Sequence, residues 1–112
     1  MIPNAADPKQ IEAASLRSDL SQDQADSDLA WILADAQGRR FLYRILGIAG
    51  IYRNPFDSDH SIMAANCGQM NVGLQLLSEI QRINPEGYLL MLKERIESVK
   101  RDTDTIAASH MS

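Results

Sequence analysis

Residues 59–85 read DHSIMAANCGQMNVGLQLLSEIQRINP. Within them Met63, Cys67, Met70, Leu74 and Leu77 recur at 4-3-4-3 spacing, the repeat of one helix face. Ile62, Val72, Leu76, Ile80 and Ile83 widen that stripe past half the circumference. The pattern predicts a long central helix over about 59–83, packed on two sides. Asp57, Ser58 or Asp59 can cap its start. Asn84-Pro85-Glu86 closes it and opens another helix, because asparagine is a good cap and proline suits a first helical position.

Working outward, the last helix is predicted over about 85–101, with Tyr88, Leu89, Leu92, Ile96 and Val99 as its buried stripe. Residues 102–112 are polar and read as a tail. Upstream, 51–58 form a loop punctuated by Asn54-Pro55. Asp35 can cap a helix that runs to about Gly50, a residue suited to a helix stop. Leu29, Ile32 and Leu33, beside Trp31, make the apolar stripe of a short helix. Residues 21–27 (Ser-Gln-Asp-Gln-Ala-Asp-Ser) read as a polar linker. Asp7-Pro8 opens a further helix over about 8–20, whose large apolar residues are only Ile11, Leu16 and Leu20. A helix so thinly apolar is marginal in water and needs a surface to lie on. No window alternates as a strand does. The fold class is therefore all-α, a small helical bundle of about four helices. The expected organisation is an N-terminal arm over 1–27, a helical domain over 28–101 and a C-terminal tail over 102–112.

At 112 residues and 45% apolar content the chain supports one thin core. A net charge of −4 speaks against a dedicated nucleic-acid binder. The lone Cys67 excludes an internal disulfide and fits a reducing compartment. The first residues lack a basic segment followed by an apolar run, so no signal peptide is expected. No stretch is long and apolar enough to span a membrane.

Charge is unevenly placed. Residues 36–56 carry Arg39, Arg40, Arg44 and Arg53 and no acid, whereas 1–35 carry seven acids against two bases. On a helical wheel Phe41, Leu42, Ile45, Leu46, Ile48 and Ala49 share one arc. Arg39, Arg40, Tyr43, Arg44, Gly47 and Gly50 share the other. A cationic, aromatic face with two bare glycine positions reads as a docking surface for a partner or for the chain's own acidic arm. A solvated face and contact with DNA phosphates are the competing readings. The partner-binding candidates are thus Arg39, Arg40, Tyr43, Arg44, Gly47 and Arg53, with Leu16 and Leu20 on the arm. Gly68 and Gly73 suggest close helix approach, since glycine costs about 1 kcal/mol in a helix interior. Leu90, projecting among Glu94, Glu97 and Arg101, reads as a single exposed leucine, with an oligomer contact beside Met91 as the competing reading.

No catalytic constellation stands out. Cys67 and His60 are two turns apart, but Cys67 lies in the apolar stripe, where a small buried cysteine is the ordinary reading. Asp57-Ser58-Asp59-His60-Ser61 begins like a calcium loop, yet Ile62 and Gly68 stand where glycine and glutamate are required. Helix capping explains it. No cofactor, metal site or enzymatic activity is expected.

From Ser27 to about Arg95 the chain resembles a family of small proteins of short-tailed bacteriophages (podoviruses). The resemblance rests on Asp28-Leu29-Ala30-Trp31-Ile32-Leu33, Gly38-Arg39-Arg40-Phe41-Leu42-Tyr43-Arg44-Ile45-Leu46, Gly50 and Phe56. It continues through Gly68, Asn71-Val72-Gly73-Leu74, Pro85-Glu86, Tyr88 and Met91. Genes of that family lie in the virion-morphogenesis cluster, near those for portal, scaffold and coat protein. The family usually carries a tryptophan where this chain has Tyr43. It also has an acid before Gly68 and bases after it, where this chain has Cys67 and Gln69-Met70. The resemblance implies a virion or assembly role and not an enzyme, and it fixes no place in the particle. The thin helical core, the marginal arm and the cationic face fit a small multicopy virion structural protein docked at the portal or head–tail connector, self-associating in a ring, with exit alongside the ejected DNA as a further expectation. A transient scaffold-associated assembly factor and a DNA-contacting internal head protein are the alternatives. In each case assembly takes place in the host cytoplasm.

Overall fold

The computed structural model describes residues 7–110. It contains four helices: α1 (Pro8–Leu33), α2 (Ala36–Ile48), α3 (His60–Ile83) and α4 (Pro85–His110). The all-α class and the helix number agree with the sequence. The part of the predicted arm before Asp7 and the last two residues of the predicted tail lie outside the described residues.

Helix α1 starts as Asp7-Pro8 suggests, with the Asp7 carboxylate accepting from the Lys9 amide at 3.0 Å. It then runs unbroken through 21–27, so these residues are helical and not a linker. The segment contains no glycine or proline to break it, and it supplies its own side-chain bridges one turn apart. Gln22 Nε2 donates to Asp26 at 2.7 Å and Gln24 Nε2 donates to Asp28 at 2.9 Å. Arg82 of α3 also reaches Asp26, at 2.8 and 3.1 Å. That guanidinium, helped by Gln22, holds the Asp26 carboxyl below its usual range.

Helix α2 begins after Asp35, whose side chain accepts no cap hydrogen bond. Beyond Ile48 the chain turns at Gly50, where φ is +81° and an L side chain would be strained. Asp59 caps α3 through the amides of Ser61 and Ile62, which explains the calcium-loop-like string as capping. Asn84 closes α3 and, through its side chain, accepts from the Gly87 amide at 2.9 Å to open α4. Helix α4 continues to His110, so residues 102–110 are helical where a tail was expected. After Gly87 the sequence holds no glycine or proline that would stop it.

The core is small. Leu29 and Leu33 of α1, Leu42 and Leu46 of α2, Ile80 of α3 and Met91 of α4 form one buried cluster. Ile32, Tyr43, Ile51, Leu76, Leu77, Ile83 and Tyr88 pack partly against it. Two expectations about facing are corrected. Helix α3 is not enclosed on two sides, since Ile62, Val72 and Leu74 are exposed, Leu74 by 44%. In α4 the buried line passes through Gly87 and Met91 with Glu94 and Ser98 half-buried, whereas Leu89, Ile96 and Val99 are exposed. Ranking by hydrophobicity favoured the large aliphatic residues. The register is set instead by the small Gly87, the flexible Met91 and a polar contact at Glu94.

Close approach accounts for two glycines. A Cβ on Gly73 would lie 2.6 Å from Ala49 Cβ and from Ile51 Cγ2, so α3 meets the end of α2 there. A Cβ on Gly38 would run into the Ile32 carbonyl oxygen. Gly68 has open space instead and supports no helix contact.

The molecule is long and thin, 80 × 40 × 17 Å, with a radius of gyration of 20.8 Å. A compact domain of this size would have about 13 Å. Every residue from Pro8 to Ala25 and every residue from Val99 to His110 is exposed. Two half-helices therefore project from a core formed by the remainder.

Candidate functional site

Helices α2 and α4 pack side by side and leave a groove of about 1120 Å³ between them. Its apolar surface comes from Phe41, which is 56% exposed, and from parts of Tyr43 and Met91. Its charge is mainly positive. Arg40 and Arg44 contribute from α2, and Arg95, Lys100 and Arg101 from α4, against Glu97 and Asp104. These five cations make no ion pair among the described residues. Both Arg40 and Arg44 are exposed.

The sequence-predicted site residues separate into four environments. Arg39 turns inward: its side chain is 11% exposed, Nε donates to Glu94 Oε1 at 2.6 Å, and Nη1 donates to the Leu33 carbonyl at 2.8 Å. It ties the ends of α1 and α2 to α4, which corrects its assignment to the docking face. The Leu33 carbonyl is one of the orphan acceptors at the end of α1, so a guanidinium there satisfies an acceptor and favours the helix dipole.

Tyr43 lies at the groove wall. Its ring stacks on Tyr52 with centroids 5.5 Å apart, and the Arg95 guanidinium sits 5.5 Å from its centroid, within cation–π reach. The Tyr52 and Tyr88 hydroxyls are 3.2 Å apart. Burial first, and this hydrogen bond second, push the Tyr52 phenol above its ordinary value.

Arg53 leaves the groove. Its Nη2 donates back to the Gly47 carbonyl at 3.4 Å, and it lines a separate cleft with Pro55, Asn66, Gln69 and Met70. Gln69 Nε2 donates to the Ile48 carbonyl there. A Cβ added at Gly47 would meet open space. Leu16 and Leu20 are each 60% exposed on the projecting half of α1, away from the arginines.

Sequence reasoning missed the α4 half of the site. Arg95, Lys100 and Arg101 are interleaved with Glu94 and Glu97 in the sequence, and they form a basic wall only where α4 packs beside α2. Other expectations are revised here. Cys67 is exposed on α3 instead of buried, and no hydrogen bond joins it to His60. Met91 is core, whereas Leu90 is exposed as expected. Among the described residues no cluster could hold a metal ion, and no helix is long and apolar enough to cross a membrane.

A model of the family described as Bbp19-like phage protein matches residues 29–93. The chain belongs to the Bbp19-like phage proteins. No curated protein and no solved structure matches it. The Bbp19-like span begins at Leu29, the first buried residue of α1, and ends just after Met91. It therefore contains the whole buried cluster and the α2 side of the groove. The exposed half of α1 and the distal part of α4 lie outside it.

Proposed function

We propose that this Bbp19-like protein is a small multicopy structural protein of a short-tailed phage virion, seated at the portal or head–tail connector. The observation that carries the reading is the pair of projecting half-helices. Leu16 and Leu20 on α1, and Ile96, Val99 and Ile106 on α4, are exposed with nothing in the monomer to cover them. Isolated helices of this length and composition are marginal in water, and a neighbouring subunit would bury those side chains. Membership of a phage protein family supports a role in the phage cycle. The resemblance to proteins encoded beside portal, scaffold and coat genes supports a role in the particle or its assembly. Contacts repeated around such a ring gain from multivalency even where each is weak. On this reading the protein acts by binding and not by catalysis, and it leaves the particle with the DNA.

The test is mass spectrometry of purified DNA-filled particles and of portal-containing subassemblies stripped from them. The expected result is several copies per particle, retained with the portal fraction. Presence in precursor particles alone would replace this reading with a transient assembly factor.

A DNA-contacting reading has its own support in the five unpaired groove cations. It predicts binding to duplex DNA that weakens steeply with salt.

A further inference from the structure

We infer that the cationic groove between α2 and α4 receives the projecting half of α1 from a second copy of this chain, joining copies head to tail. The inference rests on reading the groove as a docking surface, and it names the occupant.

Charge complementarity is the main argument. On a helix at 100° per residue, Glu12, Leu16, Asp19, Leu20 and Asp23 of α1 fall on one arc. They make an acidic and apolar strip, with Lys9 as a cation in the first turn. The groove offers the opposite sign from Arg40, Arg44, Arg95, Lys100 and Arg101, and its apolar surface at Phe41 is exposed. Leucines on the strip can cover Phe41 while the flanking carboxylates meet guanidinium groups. Arginine favours such pairing because its planar fork donates to both oxygens of a carboxylate.

Dimensions agree as well. From Glu12 to Asp23 the strip is about 17 Å long at 1.5 Å per residue, and the α4 wall from Met91 to Asp104 is about 20 Å. The strip cannot serve its own groove. Helix α1 is continuous, anchored through Leu29, Leu33 and the Asp26–Arg82 pair, and it is exposed from Pro8 to Ala25.

Because strip and groove are different surfaces, each copy carries one of each. Such a heterologous contact generates a closed ring if the rotation closes and a filament if it does not.

The experiment is light scattering coupled to size exclusion on the full chain, across a dilution series and at about 50 and about 500 mM salt, which brackets strong and weak screening. The wild type should form concentration-dependent oligomers that dissociate at high salt. The groove variant Arg40→Glu with Arg44→Glu should weaken assembly about tenfold or more, since like charges replace a favourable contact. The strip variant Leu16→Ser with Leu20→Ser should do the same. Circular dichroism at a dilution where the wild type is itself monomeric should show the same helicity for both, because all four side chains are exposed. Mixing the two variants should yield one-to-one dimers that do not grow, as only one intact strip and one intact groove remain. A wild type that stays monomeric, or oligomerises only on adding duplex DNA, would overturn the inference. So would variants that assemble normally or a mixture that stays monomeric. A monomeric wild type that still enters virions would remove this inference while leaving the proposed function standing.

Discussion

Arg39 Nε donates to Glu94 Oε1 at 2.6 Å across 55 residues of chain, and this pair sets how α2 and α4 face each other. The same guanidinium holds the Leu33 carbonyl. One arginine of the basic stretch is thereby structural, while its neighbours Arg40 and Arg44 are exposed and make no ion pair among the described residues.

Arg39→Ala should destabilise the fold by about 1.5–3 kcal/mol, the range for hydrogen bonds to charged groups. Arg40→Ala should stay within about 0.5 kcal/mol, as exposed substitutions usually do. Urea unfolding followed by circular dichroism distinguishes them. Equal effects would show that the inward turn of Arg39 contributes nothing.

Leu33→Ala and Ile80→Ala should each cost about 2–5 kcal/mol, the usual range for truncation in a packed core. Periodicity alone would rank Leu74 with them, but its 44% exposure predicts a loss under about 1 kcal/mol for Leu74→Ala. Thermal melts of the three variants test this ordering. A collapse caused by Leu74→Ala alone would mean that α3 faces the other way.

Helix number, the caps at Asp7, Asp59 and Asn84, and the Leu29–Leu33 and Leu42–Leu46 stripes were legible in the sequence, although Phe41 and Ile48, read onto the apolar arc of α2, are exposed. These signals are local: a cap or an i, i+4 stripe is written within a few residues. The unbroken α1 was less legible, because Ser and Asp in 21–27 favour caps and turns intrinsically. Their helicity depends on side-chain bridges and on Arg82, 56 residues away from Asp26. The rotation of α4 was illegible for a related reason. It depends on Gly87, Met91 and the Arg39–Glu94 contact, none of which registers on a hydrophobicity wheel. The basic half of the site on α2 could be read directly, whereas its α4 half emerged only from packing.

Gly73→Ala should destabilise by about 1–3 kcal/mol although alanine is the better helix former, because the new methyl meets Ala49 and Ile51. Gly68→Ala should stabilise by up to about 1 kcal/mol, since its surroundings are open. Opposite shifts in melting temperature are the expected readout. Stabilisation by both would show that α3 and the end of α2 do not meet closely.

The pH dependence should appear at the alkaline end. The folded state holds the Tyr52 phenol neutral above its ordinary value, whereas the unfolded chain ionises near pH 10, the ordinary tyrosine value. The resulting stability is complete below about pH 10 and is lost as pH rises beyond it. Tyr52→Phe should flatten that loss, as measured by unfolding at successive pH values. An unchanged alkaline profile in the variant would remove Tyr52 as its source.

The central claim is that exposed helix faces of this Bbp19-like protein dock within the phage particle. Its most direct test is the number of copies per DNA-filled particle, counted for the wild type and for Arg40→Glu with Arg44→Glu. Several copies are expected for the wild type and a drop of about tenfold for the variant, the scale of replacing a favourable charge contact by a repulsive one, with the same melting temperature for the two proteins at a dilution where both are monomeric. Equal copy numbers for the two proteins, or none of the wild type in purified particles, would contradict it.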